Sequence, residues 1–324
     1  MIKLRNINKT FRVAKRQAGF GRAVKALFSR EYEHVRALDD VSFTIGGGEM
    51  VGYIGPNGAG KSTTIKIMCG ILTPDSGECE IDGRTPWRER AAHVRGIGVV
   101  FGQRSQLWWD VPVIDSYELI RDIYKVDERL YKSNLDELTE LLDLGELLKT
   151  PARSLSLGQR MRCEIAASLL HNPKILFLDE PTIGLDAVSK IAVRLFIKKL
   201  NAERGTTVIL TTHDMQDIEA LTGRILLIGK GRILLDGSLA ELKKRSSERK
   251  TLVVEYNGAA PEACEGMVQA EAKDGRIVFT LDPSVLPVSD AIAHLAAQTE
   301  LLDVSVSGIS SEEMVASLYK EYHI

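Results

Sequence analysis

The stretch Gly55-Pro56-Asn57-Gly58-Ala59-Gly60-Lys61-Ser62-Thr63 constrains this chain more than any other. Its glycines let the backbone bend tightly around an anion, with successive N–H groups turned inward. Lys61 adds a compact positive charge, and the Ser62 hydroxyl stands where it can coordinate a divalent cation. Residues 49–54, just before the loop, read as a buried strand. Residues 63–68, just after it, read as a helix whose N-terminal end faces the anion. A chance match in an ordinary glycine turn would lack this context. Strand, glycine loop and helix in that order predict an α/β fold that holds phosphate.

A chain of 324 residues can bury a large core and is long enough for two domains. Hydrophobic residues at 44% and charged residues at 27% are ordinary for a globular protein. The net charge of −2 offers nothing to a polyanion, so no nucleic-acid partner is expected. No apolar run approaches a membrane span, and the opening Met1-Ile2-Lys3-Leu4-Arg5-Asn6 is not the start of a signal peptide. Cys69, Cys79, Cys163 and Cys264 are scattered without metal spacing, which predicts free thiols in a reducing cytosol.

Along the chain, residues 1–13 and 37–54 read as short strands, with a basic insert at 14–36 between them. Further strands are expected at 78–82 and 97–101. From about 113 to 172 apolar residues recur at helical spacing (Leu135, Leu138, Leu141, Leu142), which marks a helical subdomain over about 103–172. Residues 174–178 and 207–211 are unbroken apolar runs suited to strands covered on both faces. Residues 224–235 read as a hairpin turned at Gly229 to Gly231. This part makes a first domain over 1–242. The charged run 243–250 is a linker, and 251–324 is a small α+β domain with strands near 252–256, 276–280 and 301–306 and helices at 288–299 and 311–321.

Chemistry is expected where strands end. Asp179 and Glu180 follow the buried strand at 174–178, where α/β folds place ligands. Asp179 would reach a Mg²⁺ shell and Glu180 would polarise an attacking water; alone, the pair would read as a solvated strand end. Phosphoryl transfer to water asks mostly for aligned water, metal and cationic donors. Gln103, after another strand, has the length and polarity to touch Mg²⁺ and the water. His213, after the strand at 207–211, has a donor for a γ-phosphate, although a lone histidine at a strand end is usually structural. Ser156 reads as the N-cap of a helix beginning near Arg160, and Gly158 allows close backbone approach, which together make a second anion site or a plain helix cap.

In this order the segments resemble the ATPase subunits of the ABC (ATP-binding cassette) family. The resemblance rests on the loop at 55–63, Gln103, Leu155-Ser156-Leu157-Gly158-Gln159, Asp179-Glu180, Gly184-Leu185-Asp186 and His213, and it covers about residues 1–240. Leu157 departs from it, standing where the family usually has glycine. The resemblance implies a P-loop nucleotide-binding domain that binds ATP with Mg²⁺ and hydrolyses it. It gives nucleotide contacts to Phe11 (under the adenine ring, or else simple core packing), Gly55, Asn57, Gly58, Gly60, Lys61, Ser62, Thr63, Ser156, Gly158, Gln159 and Asp186. Ser62, Gln103 and Asp179 fall to the metal, and Glu180, His213 and Gln103 to catalysis. It also implies a head-to-tail pair of copies, each ATP lying between one copy's P-loop and the other's Ser156–Gly158 turn.

Two kinds of ABC protein are weighed. A soluble ATPase acting on ribosomes or DNA usually has two cassettes, a long coiled coil or zinc-binding cysteines, and the sequence has none of these. A transport engine at the cytoplasmic face of the membrane, working on separate permease subunits, is therefore expected. The insert at 14–36 places Phe20, Val24, Leu27 and Phe28 on one helical face beside several Lys and Arg, a pattern for an anionic membrane surface or a permease, or else for a surface helix packed on its own domain. An insert there resembles polysaccharide and teichoic-acid exporters, and residues 102–110 and 181–186 resemble drug- and sodium-extruding cassettes. Export is the expected direction, with an importer cassette carrying a regulatory tail as the alternative. Of Trp108 and Trp109, adjacent on a loop, at least one is expected to meet the permease, with core packing inside the helical subdomain as the competing reading.

Overall fold

The computed structural model describes residues 1–14, 32–102, 104–212, 214–239, 241, 250–308 and 319. Gln103, His213, the interior of the basic insert, linker residues 243–249 and nearly all of the expected helix at 311–321 lie outside the described residues. The chain divides into two compact units, one over Met1–Asp236 and a second from Gly237 onward.

The first unit opens with β1 (Ile2–Ala14) and β2 (Tyr32–Ile45), followed by β3 (Met50–Ile54), α1 (Lys61–Met68) and β4 (Ser76–Ile81). After them come α2 (Arg90–Val94), β5 (Ile97–Phe101), α3 (Val113–Tyr124), α4 (Glu128–Leu142) and α5 (Leu157–Leu169). The last elements are β6 (Ile175–Asp179), α6 (Ala187–Arg204), β7 (Thr207–Thr211), α7 (Met215–Leu221), β8 (Arg224–Gly229) and β9 (Arg232–Ser238). Both ends of the expected insert are strand: Ala14 pairs with Tyr32 and Phe11 with Val35, because β1 and β2 continue together past the last β1–β4 pair, Asn8–Ser76. The rest of the expected insert, 15–31, lies outside the described residues.

Two sheets share one core. β2-β1-β4 is antiparallel and alternates, burying Ile2, Leu4, Leu38, Val41, Phe43 and Ile45 on one face. The six-stranded sheet runs β5-β6-β7-β3-β8-β9, with β5, β6, β7, β3 and β8 parallel. Its middle strands do not alternate: Ile175 to Leu178 and all of Thr207–Thr211 are buried, as expected of strands covered on both faces. Ile65, Ile67 and Met68 of α1 belong to the same apolar cluster as residues of both sheets, so the helix after the glycine loop is fixed by packing rather than by its short length. β8 and β9 are joined through Lys230 and Gly231, both at positive φ (46° and 77°), the backbone that a two-residue hairpin turn requires.

The parallel register puts strand ends level. Phe101 pairs with Asp179, Asp179 with Thr211, and Thr211 with Tyr53, one row across four strands. Every loop leaving that row opens on the same edge of the sheet. Beside it, α3, α4 and α5 form the helical part: Tyr117 is fully buried and donates to the Cys163 carbonyl at 2.9 Å, and Asn134 donates to Leu170 O at 2.9 Å.

In the second unit β10 (Lys250–Asn257), β11 (Met267–Lys273), β12 (Arg276–Leu281), α8 (Val288–Ala296) and β13 (Glu300–Gly308) form an antiparallel sheet in the order β11-β12-β10-β13. Leu252, Val254, Ile277, Phe279 and Leu281 face Ala291 and Leu295 of α8. The sequence analysis did not read β11 as a strand: Val268, Ala270 and Ala272 do alternate with polar residues, but two of the three are small alanines with little strand preference, and the run from Val268 to Lys273 is exposed on both faces.

Phe177, fully buried in β6, gives a test of the shared core. Phe177→Ala should lower the unfolding free energy by about 3–5 kcal/mol, read from urea unfolding curves; an unchanged midpoint would contradict the packing described.

Candidate functional site

The loop at 55–60 is forced into shape by its surroundings. A Cβ on Gly55 would stand 2.2 Å from the Ile228 carbonyl oxygen of β8, and one on Gly60 would stand 2.7 Å from the Ala37 oxygen of β2. Neighbouring backbone thus fills the space that a side chain would need. Gly60, at φ 113°, immediately precedes α1, so the N-terminal N–H groups of that helix open on the loop. Lys61 is buried, and its ammonium donates to the carbonyls of Gly55 (2.5 Å) and Pro56 (3.1 Å). Burial pushes its pKa down, while the nearby carboxylates of Glu180 and Asp179 oppose the shift.

Beside the loop lies a cleft of ≈ 440 Å³, within the range of small-molecule sites. Its walls include Asn57, Gly58, Gly60, Lys61, Ser62 and Thr63 from the loop and helix, and Asp179 and Glu180 from the end of β6. These predicted residues meet in space across more than a hundred positions of chain. The Ser62 hydroxyl is 3.4 Å from Asp179 Oδ2. Asp179 Oδ1 accepts from the Thr211 hydroxyl at 2.5 Å, and that hydroxyl with the Thr211 carbonyl also accepts the Glu180 N–H, at 3.2 and 2.9 Å. Glu180 is held at φ 56°, a left-handed backbone uncommon for a residue with a side chain. Thr211 thus fixes both acids from the neighbouring strand. Sequence reading passed it over as strand filler; the only signal was a hydroxyl ending an apolar run.

Ser156 caps α5: its hydroxyl accepts the Gln159 N–H at 3.2 Å, and the Gln159 side chain accepts the Ser156 N–H at 2.9 Å. The helix begins at Leu157, not near Arg160, because this reciprocal cap satisfies its first N–H groups. A Cβ on Gly158 would stand 3.0 Å from Ser189 Cβ and 2.5 Å from its hydroxyl. Asp186 in turn caps α6 by accepting from Ser189 N (2.9 Å) and Oγ (2.8 Å). Within one chain, then, Gly158 allows α5 to lie against the start of α6. Leu157 has room because Gly184 opposite it carries no side chain: a Cβ there would meet Leu157 Cδ2 at 2.7 Å.

Not every predicted residue reaches the cleft. Phe11 lies half-buried on β1, with the Lys9 ammonium 5.9 Å from its ring centroid, and is not among the cleft residues. Gly55, Ser156, Gly158, Gln159 and Asp186 are also absent from its lining; Gly55 is instead packed against the Ile228 carbonyl. Arg104, which the sequence analysis did not single out, does line it, held by a bridge to Phe101.

Trp108 and Trp109 are 59% and 51% exposed, and the Arg160 guanidinium lies 5.5 Å from a Trp109 ring centroid. The loop that presents them is anchored from below. Glu164 of α5, buried, accepts from the Ser105 hydroxyl and from Gln106 N (3.1 Å), while Gln106 Nε2 donates to the Glu164 carbonyl (2.9 Å). Burial pushes the Glu164 carboxyl pKa up, and these bonds oppose it.

Two glycines of the loop separate crowding from backbone strain. Gly58→Ala meets open space at φ 82° and should cost about 1–2 kcal/mol from the left-handed backbone alone. Gly55→Ala, against a carbonyl, should cost at least about 3 kcal/mol. Thermal unfolding of the two variants checks the order, and equal losses would contradict it.

Comparison with known proteins agrees with this geometry. The ABC transporter family model matches residues 38–183. The uncharacterized ABC transporter ATP-binding protein YhcH of Bacillus subtilis is 36% identical over 61% of this chain and 63% of its own, so the match spans under two thirds of that relative. The daunorubicin resistance ATP-binding protein DrrA3 of Streptomyces coeruleorubidus is 34% identical over 69% of this chain and 71% of its own. The methionine import ATP-binding protein MetN 2 of Enterococcus faecalis is 35% identical over 88% and 85%. Among solved structures, the dimeric post-hydrolysis state of the ATP-binding cassette MJ0796 bound to ADP and Pi aligns with a TM-score of 0.62 at 29% identity, covering 74% of this chain and 99% of that one. By these matches and the loop, cap and strand-end geometry above, the chain belongs to the ABC transporter family as an ATP-hydrolysing, ATP-binding subunit.

Proposed function

We propose that two copies of this chain clamp two ATP molecules head to tail and drive export through separate membrane permease subunits. One observation carries the dimeric part. The cleft has a complete phosphate wall, yet residues 155–159 are not among its lining, although Ser156 is exposed at the start of α5. A second copy supplies that missing wall with a hydroxyl and helix N-terminal N–H groups. ATP then joins the copies, because its γ-phosphate is neutralised from both sides only on closure. The dimeric state of the related solved cassette supports this reading.

Within each site, Lys61 and the loop N–H groups bind the β- and γ-phosphates, with Asn57, Gly58, Gly60 and Thr63 completing the cradle. Ser62 and Asp179 would hold Mg²⁺, with Gln103 as a third oxygen donor. A hydroxyl and a carboxylate 3.4 Å apart are hard oxygen donors of the right kind. Among the described residues no cluster of three or more His, Cys, Asp or Glu is able to hold a metal. That suits an ion that arrives with phosphate and water oxygens. When bound, Mg²⁺ neutralises charge on the transferring phosphate. Glu180 orients and polarises the water, His213 donates to the γ-phosphate, and Asp186 and Gln159 support the dimer contact. Phe11 is assigned to the adenine.

Among the described residues no helix is long and apolar enough to cross a membrane, so movement of cargo falls to a partner. Trp108 and Trp109 are the proposed permease contact, since exposed aromatics on an anchored loop make good interface anchors. The insert within 14–36 is assigned to the cytoplasmic membrane surface or the permease. The proposed bounds are 1–242 for the cassette, 243–250 for the linker and 251–324 for the accessory domain. Export rests on likeness to drug- and sodium-extruding cassettes and on the resistance relative. Import has its own support, because the methionine-import relative matches over 88% of this chain.

Glu180→Gln should keep MgATP binding, trap a closed dimer on size-exclusion chromatography, and lose at least about 100-fold in ATP turnover. Turnover at the wild-type rate would remove Glu180 from its role. Trp108→Ala with Trp109→Ala should leave MgATP binding intact and abolish co-purification with the permease; undiminished assembly would sink that contact. For direction, ATP-dependent accumulation of cargo in inverted membrane vesicles supports export. A solute-binding protein encoded beside this gene and required for transport would support import instead.

A further inference from the structure

Asp217 of α7 is fully buried, with 0% side-chain exposure. A carboxylate in that position needs compensation for its lost hydration. Arg194, from α6, supplies the charge: its Nε donates to Oδ1 at 2.6 Å and its Nη2 lies 2.5 Å from the same oxygen. The other oxygen, Oδ2, accepts two hydroxyls from two different segments. One is Thr182 Oγ1, and the other is Thr212 Oγ1 at 3.1 Å. Both threonines are buried.

The positions of these threonines give the arrangement its meaning. Thr182 stands just past Glu180 and Pro181, and Thr212 stands just before position 213. The Thr212 hydroxyl also accepts the Asp214 N–H at 3.0 Å while donating to Asp217, so it is bonded to two residues at the start of α7. Asp214 is held in turn by Lys190 Nζ at 2.5 Å and by Arg194 Nη2 at 3.5 Å, and it accepts the Gln216 N–H at 2.9 Å. Two cations of α6 and two acids around the start of α7 thus surround the point where both segments are fastened.

We propose that Asp217 is a positioning residue for ATP hydrolysis. Through a single oxygen it ties the segment that follows Glu180 to the segment that ends at Thr212, while Arg194 engages the other oxygen. Thr182, two residues past Glu180, and Thr212, one residue before position 213, therefore hold one mutual placement instead of two independent ones. The inference rests on the roles given above to Glu180 and His213. A carboxylate reaches both hydroxyls because each of its oxygens accepts more than one hydrogen bond, which leaves Oδ1 for the arginine. Neither threonine is exchangeable for an apolar residue without freeing its own segment.

Thr182→Val and Thr212→Val carry the test, because Asp217 variants strand a buried Arg194 and risk misfolding. Each full-length variant is assayed for steady-state turnover of MgATP, MgATP binding and thermal unfolding. The expected result is a loss in kcat of roughly 10- to 100-fold, with KM and binding near wild type and a fall in melting temperature of only a few degrees, from the one buried hydrogen bond lost. Thr182→Ser, which keeps the hydroxyl, should retain wild-type kcat. The double variant Thr182→Val/Thr212→Val should lose much less than the product of the single losses, since both report on one shared oxygen. Wild-type kcat in both single variants, a loss confined to stability or KM, or fully multiplicative losses would each overturn the proposal. Glu180→Gln separates the two levels. If it hydrolyses ATP normally, the assigned role of Glu180 fails; if it is inactive while the threonine variants are normal, only the Asp217 inference fails.

Discussion

Four strand ends lie level because the parallel ladder sets their register, and the phosphate cleft is a consequence of that row. Tyr53, Thr211, Asp179 and Phe101 are successive partners across β3, β7, β6 and β5. The glycine loop, the Glu180 segment and the segments leading to positions 103 and 213 all leave from this row. A slip of one residue in any strand would turn Asp179 or Thr211 to the opposite face and bury its neighbour's polar group. The unbroken apolar character of β6 and β7 resists such a slip through packing on both faces, not through alternation.

Once the row is fixed, polar groups buried near it are each answered by a partner from a different element. Lys61 of α1 turns to the Gly55 and Pro56 carbonyls of the preceding loop, Glu164 of α5 to Ser105 and Gln106, and Asp217 of α7 to Arg194, Thr182 and Thr212. The cost of leaving any of these unpaired in the interior is what makes them fasteners. Each bonds a loop to a helix or strand, so loops that must respond to a nucleotide are attached at defined points. The second unit follows simpler rules, with the apolar face of a four-stranded sheet laid on the buried side of α8.

Much of the cassette was legible from local chemistry. The loop at 55–63 announced itself because glycine, lysine and serine at that spacing have one common use. The acids after Ile175–Leu178 stood out because two charges end an apolar run. Trp108 and Trp109 were correctly expected at the surface, since two adjacent indoles are hard to bury together on a loop. Local chemistry was less informative wherever a residue acts through a distant one. Thr211 looked like the end of a strand, and nothing around Asp217 in sequence revealed Arg194 or Thr182. Likewise Gly158 read as a nucleotide contact, whereas its constraint within the chain comes from Ser189 on another helix. β11 was missed because its alternation is built mostly from alanine, a weak strand former, and nearly all of its residues face water.

The amino-acid order by itself determined the kind of fold, the phosphate loop, the buried central strands and the cap at Ser156, because each depends on residues a few positions apart. Tertiary structure alone decided that Ser62 and Asp179 stand 3.4 Å from each other, that β1 and β2 run on together to Ala14 and Tyr32, and that Thr182 and Thr212 share one oxygen. These depend on strand register and helix packing, in which contacts far apart along the chain are chosen by the whole core at once.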